Sequence, residues 1–444
     1  MTRPGEGRGL NREILRLAVP ALGALVAEPL FLIVDSALVG HLGIVPLAGL
    51  GIASAVLQTV VGLMVFLAYA TTPAVARRLG SGDTSSAVSV GIDGLWLALG
   101  IGSLLALAGW LATPAVVAAF GADAAITEQA VTYLGLSMGG LPAMLIVFAA
   151  TGLLRGLQDT VTPLRIAAIG FGANALLNWL LIYGLGWGIA GAAVGTVLAQ
   201  WGMVAAYVVV ITRLARTHHA SIRPRRGGVS GSARAGGWLF LRTLSLRTAL
   251  LLTVGVATSM GPSELAGYQV VFILFSTAAF ALDALAIAAQ ALIGRQLGAH
   301  DVAGVRLVLR RTLAWGAGFG LVVGAVIAAA SGVIGLVFTG SAELAALIFP
   351  ALLVLAAAQP VSGVVFVLDG VLIGAGDARY LAAAGAIALG ALVPVLAALW
   401  ISGVSGALGL ALLAASFFVV YMLARLFTLG RRAAGTTWQR VGAR

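Results

Sequence analysis

Five carboxylates interrupt stretches of this sequence that are otherwise almost wholly apolar: Glu28, Asp35, Asp93, Asp283 and Asp369. An ionised Asp at the centre of a membrane helix costs roughly 2.5–3.5 kcal/mol on insertion scales, so each such acid is a functional candidate by default. Asn174 and Asn178 are four residues apart and share one helix face, and Thr196 adds a hydroxyl a little further on. One carboxylate, two amides and a hydroxyl suit a hard cation, or a proton held on the carboxylate. Other chemistries lack their residues. There is no Cys, hence no disulfide, thiol nucleophile or thiolate metal site. The four His, at 41, 218, 219 and 300, are scattered, and neither an HExxH nor a Walker motif occurs. No enzyme activity, no cofactor and no dedicated metal centre are expected.

The elements that must position these groups follow from composition. Of 444 residues, 61% are hydrophobic and 9% charged, against about a quarter charged in soluble domains; mean hydropathy is +1.08. A soluble enzyme, a nucleic-acid binder and a disordered chain are excluded. Apolar runs long enough to span a bilayer predict an all-α, polytopic membrane protein of twelve transmembrane helices, near 14–39, 47–75, 87–112, 129–153, 162–184, 188–211, 238–259, 265–293, 307–332, 344–371, 380–401 and 405–427. The net charge of +11 comes from Arg alone among the bases. Connectors after even-numbered spans carry Arg77 and Arg78, then Arg155 and Arg165, the cluster from Arg213 to Arg234, Arg295 to Arg311, and Arg379. Connectors after odd-numbered spans carry none, only His41, Asp123, Glu128, Glu264 and Glu343. By the positive-inside rule both termini and the middle loop are expected in the cytoplasm, and the protein in the cytoplasmic (inner) membrane.

Residues 212–237 form the only long polar linker. They divide the chain into a cytoplasmic N-terminus (1–13), an N-lobe (14–211), a C-lobe (238–427) and a cytoplasmic C-terminus (428–444). The halves repeat. Pro46 to Asp83 aligns without gaps on Glu264 to Asp301 at an offset of 218, which also brings Pro142 onto Pro360, Gly152 onto Gly370, Gly156 onto Gly374 and Asp159 onto Asp377. Two pseudo-symmetric six-helix lobes follow, related by an axis along the membrane normal. That is a common transporter plan with the substrate path at the midplane.

Depth along the spans groups the candidates. Asp35 lies nineteen residues past Arg16, about 28 Å at 1.5 Å per residue, in the outer part of the N-lobe. Asn174 and Asn178 lie about 14 and 20 Å from Arg165, and Thr196 enters from outside to a similar depth. These four are expected to converge as the cation or proton-coupling site. Glu28 sits about 18 Å past Arg16, beside Pro29. With Pro20, that proline is expected to interrupt span 1 and make it bendable. Asp283, about 18 Å before Arg295, is a candidate second-lobe proton or substrate site. Asp369, near the inner end of span 10, is a candidate cavity or gating group. Asp93 reads as structural.

The chain resembles the multidrug and toxic compound extrusion (MATE) family over roughly residues 10–430. The resemblance rests on Asp35-Ser-Ala-Leu-Val-Gly40-His41-Leu42-Gly43, Arg155-Gly156-Leu157-Gln158-Asp159-Thr160 and Gly374-Ala375-Gly376-Asp377. The stretch Leu282-Asp283-Ala284-Leu285-Ala286 through Gly294-Arg295-Gln296-Leu297-Gly298 resembles the DinF-like branch. The resemblance implies an antiporter exporting amphipathic, often cationic, small molecules, and assigns Asp35, Asn174, Asn178 and Thr196 to the amino-lobe cation site. Asn178 stands where some relatives carry a second acid, which shifts the expected coupling ion from Na⁺ to H⁺. Expected partners are small-molecule substrates and membrane lipids, not nucleic acid, with the chain a monomer. The alternative is a flippase for lipid-linked intermediates, which would want a basic cavity; Arg242 and Arg247 are the Arg within or near span entry that could serve it.

Overall fold

The computed structural model describes residues 4–339 and 341–442. Among these there is no strand, and twelve helices are long and apolar enough to cross a membrane. Numbered as spans 1 to 12, they are Gly9–Gly40, Ile44–Gly80, Thr84–Ala118, Ala124–Gly156, Val161–Gly184, Gly188–Thr217, Gly227–Met260, Pro262–Gly298, Val302–Phe338, Ala342–Gly374, Ala378–Ser402 and Gly406–Ala434.

The repeat is written in backbone geometry as well as in residue types. Span 2 ends with Gly82 left-handed at φ 83° and Asp83 N–H donating back to Arg78 C=O; its counterpart, span 8, ends with His300 at φ 59° and Asp301 N–H donating to Gln296 C=O. Spans 4 and 10 end the same way. Gln158 (φ 65°) and Gly376 (φ 71°) precede Asp159 and Asp377, whose amides reach Leu154 and Leu372 C=O. This is the Schellman closure, which satisfies carbonyls that the last turn leaves orphaned. The aspartate then starts the next helix: Asp83 accepts from Ser86 N–H at 2.8 Å and Asp301 from Gly304 N–H at 2.8 Å. The Ser86 hydroxyl and amide hold the exposed Asp83 carboxyl below its ordinary range.

The glycines shared by the halves mark close helix crossings. A Cβ at Gly152 would meet the Ala68 carbonyl, and one at Gly370 the Ala286 carbonyl; Gly156 and Gly374 press likewise on Thr72 and Gln290. Each pair lies 218 residues apart on both sides of the contact. Span 4 therefore packs on span 2 as span 10 packs on span 8, through small residues that let backbones approach.

The chain forms two compact units. One runs from Val19 to Gly236; the other holds residues 237–442 together with the chain up to Ala18. The helix that begins the chain, Pro4–Gly40, is not interrupted at Pro20 or Pro29, contrary to the expected breaks. Each proline removes one backbone bond, a loss membrane helices tolerate where neighbouring groups re-satisfy the freed carbonyl. Much of the polar linker 212–237 is helical. The helix of span 6 continues to Thr217 and that of span 7 begins at Arg226, leaving 218–225 outside the helices.

Candidate functional site

In the first unit the four residues grouped by depth do meet. Asn178 Nδ2 donates to Asp35 Oδ1 at 2.7 Å and to Asn174 Oδ1 at 3.2 Å. Asn174 Nδ2 donates to Thr196 Oγ1 at 3.0 Å. Asp35, Asn174 and Asn178 are 4%, 3% and 0% exposed, and Thr196 is half-buried. A fifth member was not singled out from the sequence: Tyr133 of span 4 donates its hydroxyl to Asp35 Oδ2 at 3.2 Å. Its signal in the sequence is a pair of hydroxyls, Tyr133 and Ser137, four apart on one face of an apolar span.

Several local features hold this constellation. Phe31 stacks on Phe171 at 5.1 Å, locking span 1 to span 5. Tyr183 donates to Leu38 C=O at 2.6 Å from a wide π-type turn, Leu180–Gly184, that ends span 5. Such turns recur at functional sites. Gly195 leaves the space that Asn178 fills, since a Cβ there would overlap Asn178 Oδ1 and come within 3.1 Å of its amide nitrogen. That Oδ1 is itself buried without a hydrogen-bond partner.

The other membrane-depth acids are placed differently. Asp93 is fully buried and accepts from the Arg225 amide at 2.8 Å and its guanidinium at 2.9 Å. Asp369 is 6% exposed and ion-paired with both Arg242 and Arg425; Arg242 Nε also donates to it at 3.2 Å. It thereby ties spans 7, 10 and 12 together. Arg425, itself buried, was overlooked among the bases at span depth; an Arg four residues after Tyr421 inside an apolar run was its signal. Asp283 is half-buried and Glu28 is exposed on span 1; neither joins the Asp35 cluster. The aromatics Tyr268, Phe272, Phe275 and Phe366 form a packed chain with Phe417, Phe418 and Tyr421 inside the second unit.

No group of three or more His, Cys, Asp or Glu able to hold a metal ion occurs among the described residues. Asp35 has only neutral partners there, from Tyr133 and Asn178.

Twelve membrane-length helices in two repeated halves, with a buried carboxylate set among amides and hydroxyls, are the build of a multi-pass membrane transporter. The MatE family profile matches the chain twice, at residues 20–180 and 239–399. The chain is 32% identical over 386 residues to Protein DETOXIFICATION 44, chloroplastic, of Arabidopsis thaliana, covering 84% of this chain and 74% of that one. It is 27% identical over 308 residues to DNA damage-inducible protein F of Escherichia coli (strain K12), covering 66% and 64%. Its fold superposes on that of the Vibrio cholerae MATE transporter VcmN in the bent form with a TM-score of 0.86, at 20% identity over 97% of this chain and 99% of that one. The chain belongs to the MATE family of transporters.

Proposed function

We propose that this transporter is an antiporter that exports amphipathic, often cationic, small molecules across the cytoplasmic membrane, and that H⁺ bound at Asp35 is the coupling ion. One observation carries the choice of residue. Asp369 is held by the guanidinium groups of Arg242 and Arg425, so neutralising it would strand a buried cation, and Asp93 is tied to the exposed Arg225 through both its guanidinium and its backbone amide. Asp35 is held by an amide and a phenol alone, so it can gain and lose a proton without orphaning a charge. Gradient energy suffices: one elementary charge moved through 100 mV is worth about 2.3 kcal/mol. In the cycle, H⁺ from outside protonates Asp35 and loosens its bond to Asn178; span 1 rearranges and substrate is released outward; deprotonation toward the cytoplasm resets it.

Na⁺ is the second reading, favoured by the unpartnered Asn178 Oδ1, an oxygen ligand beside the carboxylate. Against it, the site offers a single negative charge. The flippase reading loses support because Arg242 is engaged with Asp369.

The test is substrate-driven H⁺ or Na⁺ movement in proteoliposomes. Asp35→Asn keeps the size of the side chain and fixes the neutral state. It is expected to bind substrate and to show no coupled exchange. Full coupled exchange by that variant overturns the mechanism and makes Asp283 the leading candidate.

A further inference from the structure

The Arg-bearing end of span 6 borders an open surface recess of about 510 Å³, lined by Thr212, Ala215, Arg216, His219, Ala220 and Ile222. We propose that it is a site for the phosphodiester headgroup of an anionic lipid, with the lipid's acyl chains lying along the membrane face of span 6. That this leaflet is the cytoplasmic one rests on the orientation proposed from the Arg segregation; the site itself does not.

The recess has a built wall. The helix ends at Thr217. His219 is left-handed at φ 54° and Ala220 N–H returns to Ala215 C=O at 2.8 Å, which turns the chain back on itself. The returning segment is then pinned along one face of span 3. Ser85 donates its hydroxyl to His219 C=O at 3.2 Å, Ser221 N–H to Ser89 Oγ at 3.1 Å, Trp96 Nε1 to Ile222 C=O at 3.1 Å, and Arg225 N–H to Asp93 at 2.8 Å. A recess held this firmly binds without the cost of ordering its own wall.

The chemistry of the recess is two-sided. Ala215, Ala220 and Ile222 are apolar, and Ile222 is 58% exposed. About two turns before Arg216, Val208 and Val209 are exposed on the same helix. Thr212 spends its hydroxyl on Val208 C=O at 2.7 Å, which leaves the side chains of Arg216 and His219 as the lining donors. No acid occurs in the sequence between Asp159 and Glu264. Of the two acids at span 3's entry, Asp93 is paired with Arg225, and Asp83 keeps its charge but stands in the field of Arg78 and Arg225, so bases outnumber acids here. The local field is therefore positive. Depth fits as well: a helix of 30 residues is about 45 Å long, against about 30 Å of hydrocarbon, so its last turns reach the headgroup layer. Basic pockets between helices at that level bind anionic headgroups. A free phosphate would use Arg216 and His219 and leave the apolar half of the recess wet.

The experiment is native mass spectrometry of the delipidated protein in detergent, titrated with phosphatidylglycerol or phosphatidylcholine. Wild type is expected to hold one phosphatidylglycerol selectively. Arg216→Gln should weaken that first lipid roughly tenfold, and Arg216→Lys should weaken it less. Arg223→Gln, an exposed base off the lining, should leave it unchanged. Unaltered binding by Arg216→Gln, or an equal loss with Arg223→Gln, would overturn the proposal by showing diffuse attraction only. Displacement of the lipid by millimolar inorganic phosphate would overturn it in favour of the free anion. Both positions are exposed, and thermal melting of each variant confirms the fold.

Discussion

Asp35 and Asp369 are both buried at membrane depth, but the partners of one are neutral and those of the other are two guanidinium groups. Removing one member of a buried charge cluster leaves the rest uncompensated and costs about 3–5 kcal/mol. Asp369→Asn should therefore lower the unfolding temperature in detergent sharply and reduce abundance. Asp35→Asn should stay within about 1 kcal/mol of wild type, because the Tyr133 hydroxyl can turn to accept from the new amide. Equal melting losses for the two variants would remove the distinction between a fixed charge and a titrating one. Gly195→Ala belongs to the same scale. Its Cβ would press on Asn178, and an overpacked core loses about 1–3 kcal/mol. Transport by that variant should fall with Asp35 untouched, measured as dye efflux at matched abundance. The acid, the two amides and the hydroxyl were legible in the sequence because helical spacing and depth are. The partners of Tyr133, Arg425 and Asp93 were not, because each lies 56 to 132 residues away and periodicity along one helix says nothing about which helix is its neighbour.

The chain passes between its two compact units inside continuous helices, at Ala18–Val19 in Pro4–Gly40 and at Gly236–Gly237 in Arg226–Met260. The first passage lies beside Pro20 and the second is a glycine pair, both of them residues that weaken a helix. The two positions are where bending is least costly. Gly236 faces Phe66, whose ring edge a Cβ would meet at 2.7 Å, whereas Gly237 has open space around it. Gly237→Ala is thus a clean stiffening. It should raise helix stability by up to ~1 kcal/mol and slow turnover, read as an unchanged or higher melting temperature with slower exchange in proteoliposomes. Faster exchange at equal stability would show that the glycine is not a bending point. Element existence was legible here, since hydropathy fixes spans of this length. Element detail was not. The wide turns at Leu180–Gly184 and Ser416–Tyr421 leave no composition signal. The helical start of span 7 at Arg226 depends on Asp93 holding Arg225 from a distant helix.

At the scale of the molecule the halves keep one scaffold and exchange its chemistry. At the offset of 218, Asp35 corresponds to Thr253, a buried hydroxyl that returns to its own helix at Ala249 C=O. Asp369 corresponds to Thr151, which shares a neutral hydrogen bond of 2.9 Å with Tyr207. Each half thus has charge where the other has a hydroxyl, while the turns and glycine crossings remain alike. An even number of spans per half requires that both halves enter the membrane in the same sense, and the Arg segregation predicts which sense. The absence of Cys makes the check direct, because every introduced thiol is the sole one in the chain. Thr217 and Asp123 are both exposed, at opposite ends of their spans. Thr217→Cys should react with an impermeant maleimide in inverted vesicles and not in intact cells, and Asp123→Cys the reverse. Reaction of Thr217→Cys from outside would invert the whole arrangement. It would also set Asp35 toward the cytoplasmic face, where an inward H⁺ gradient could not load it first.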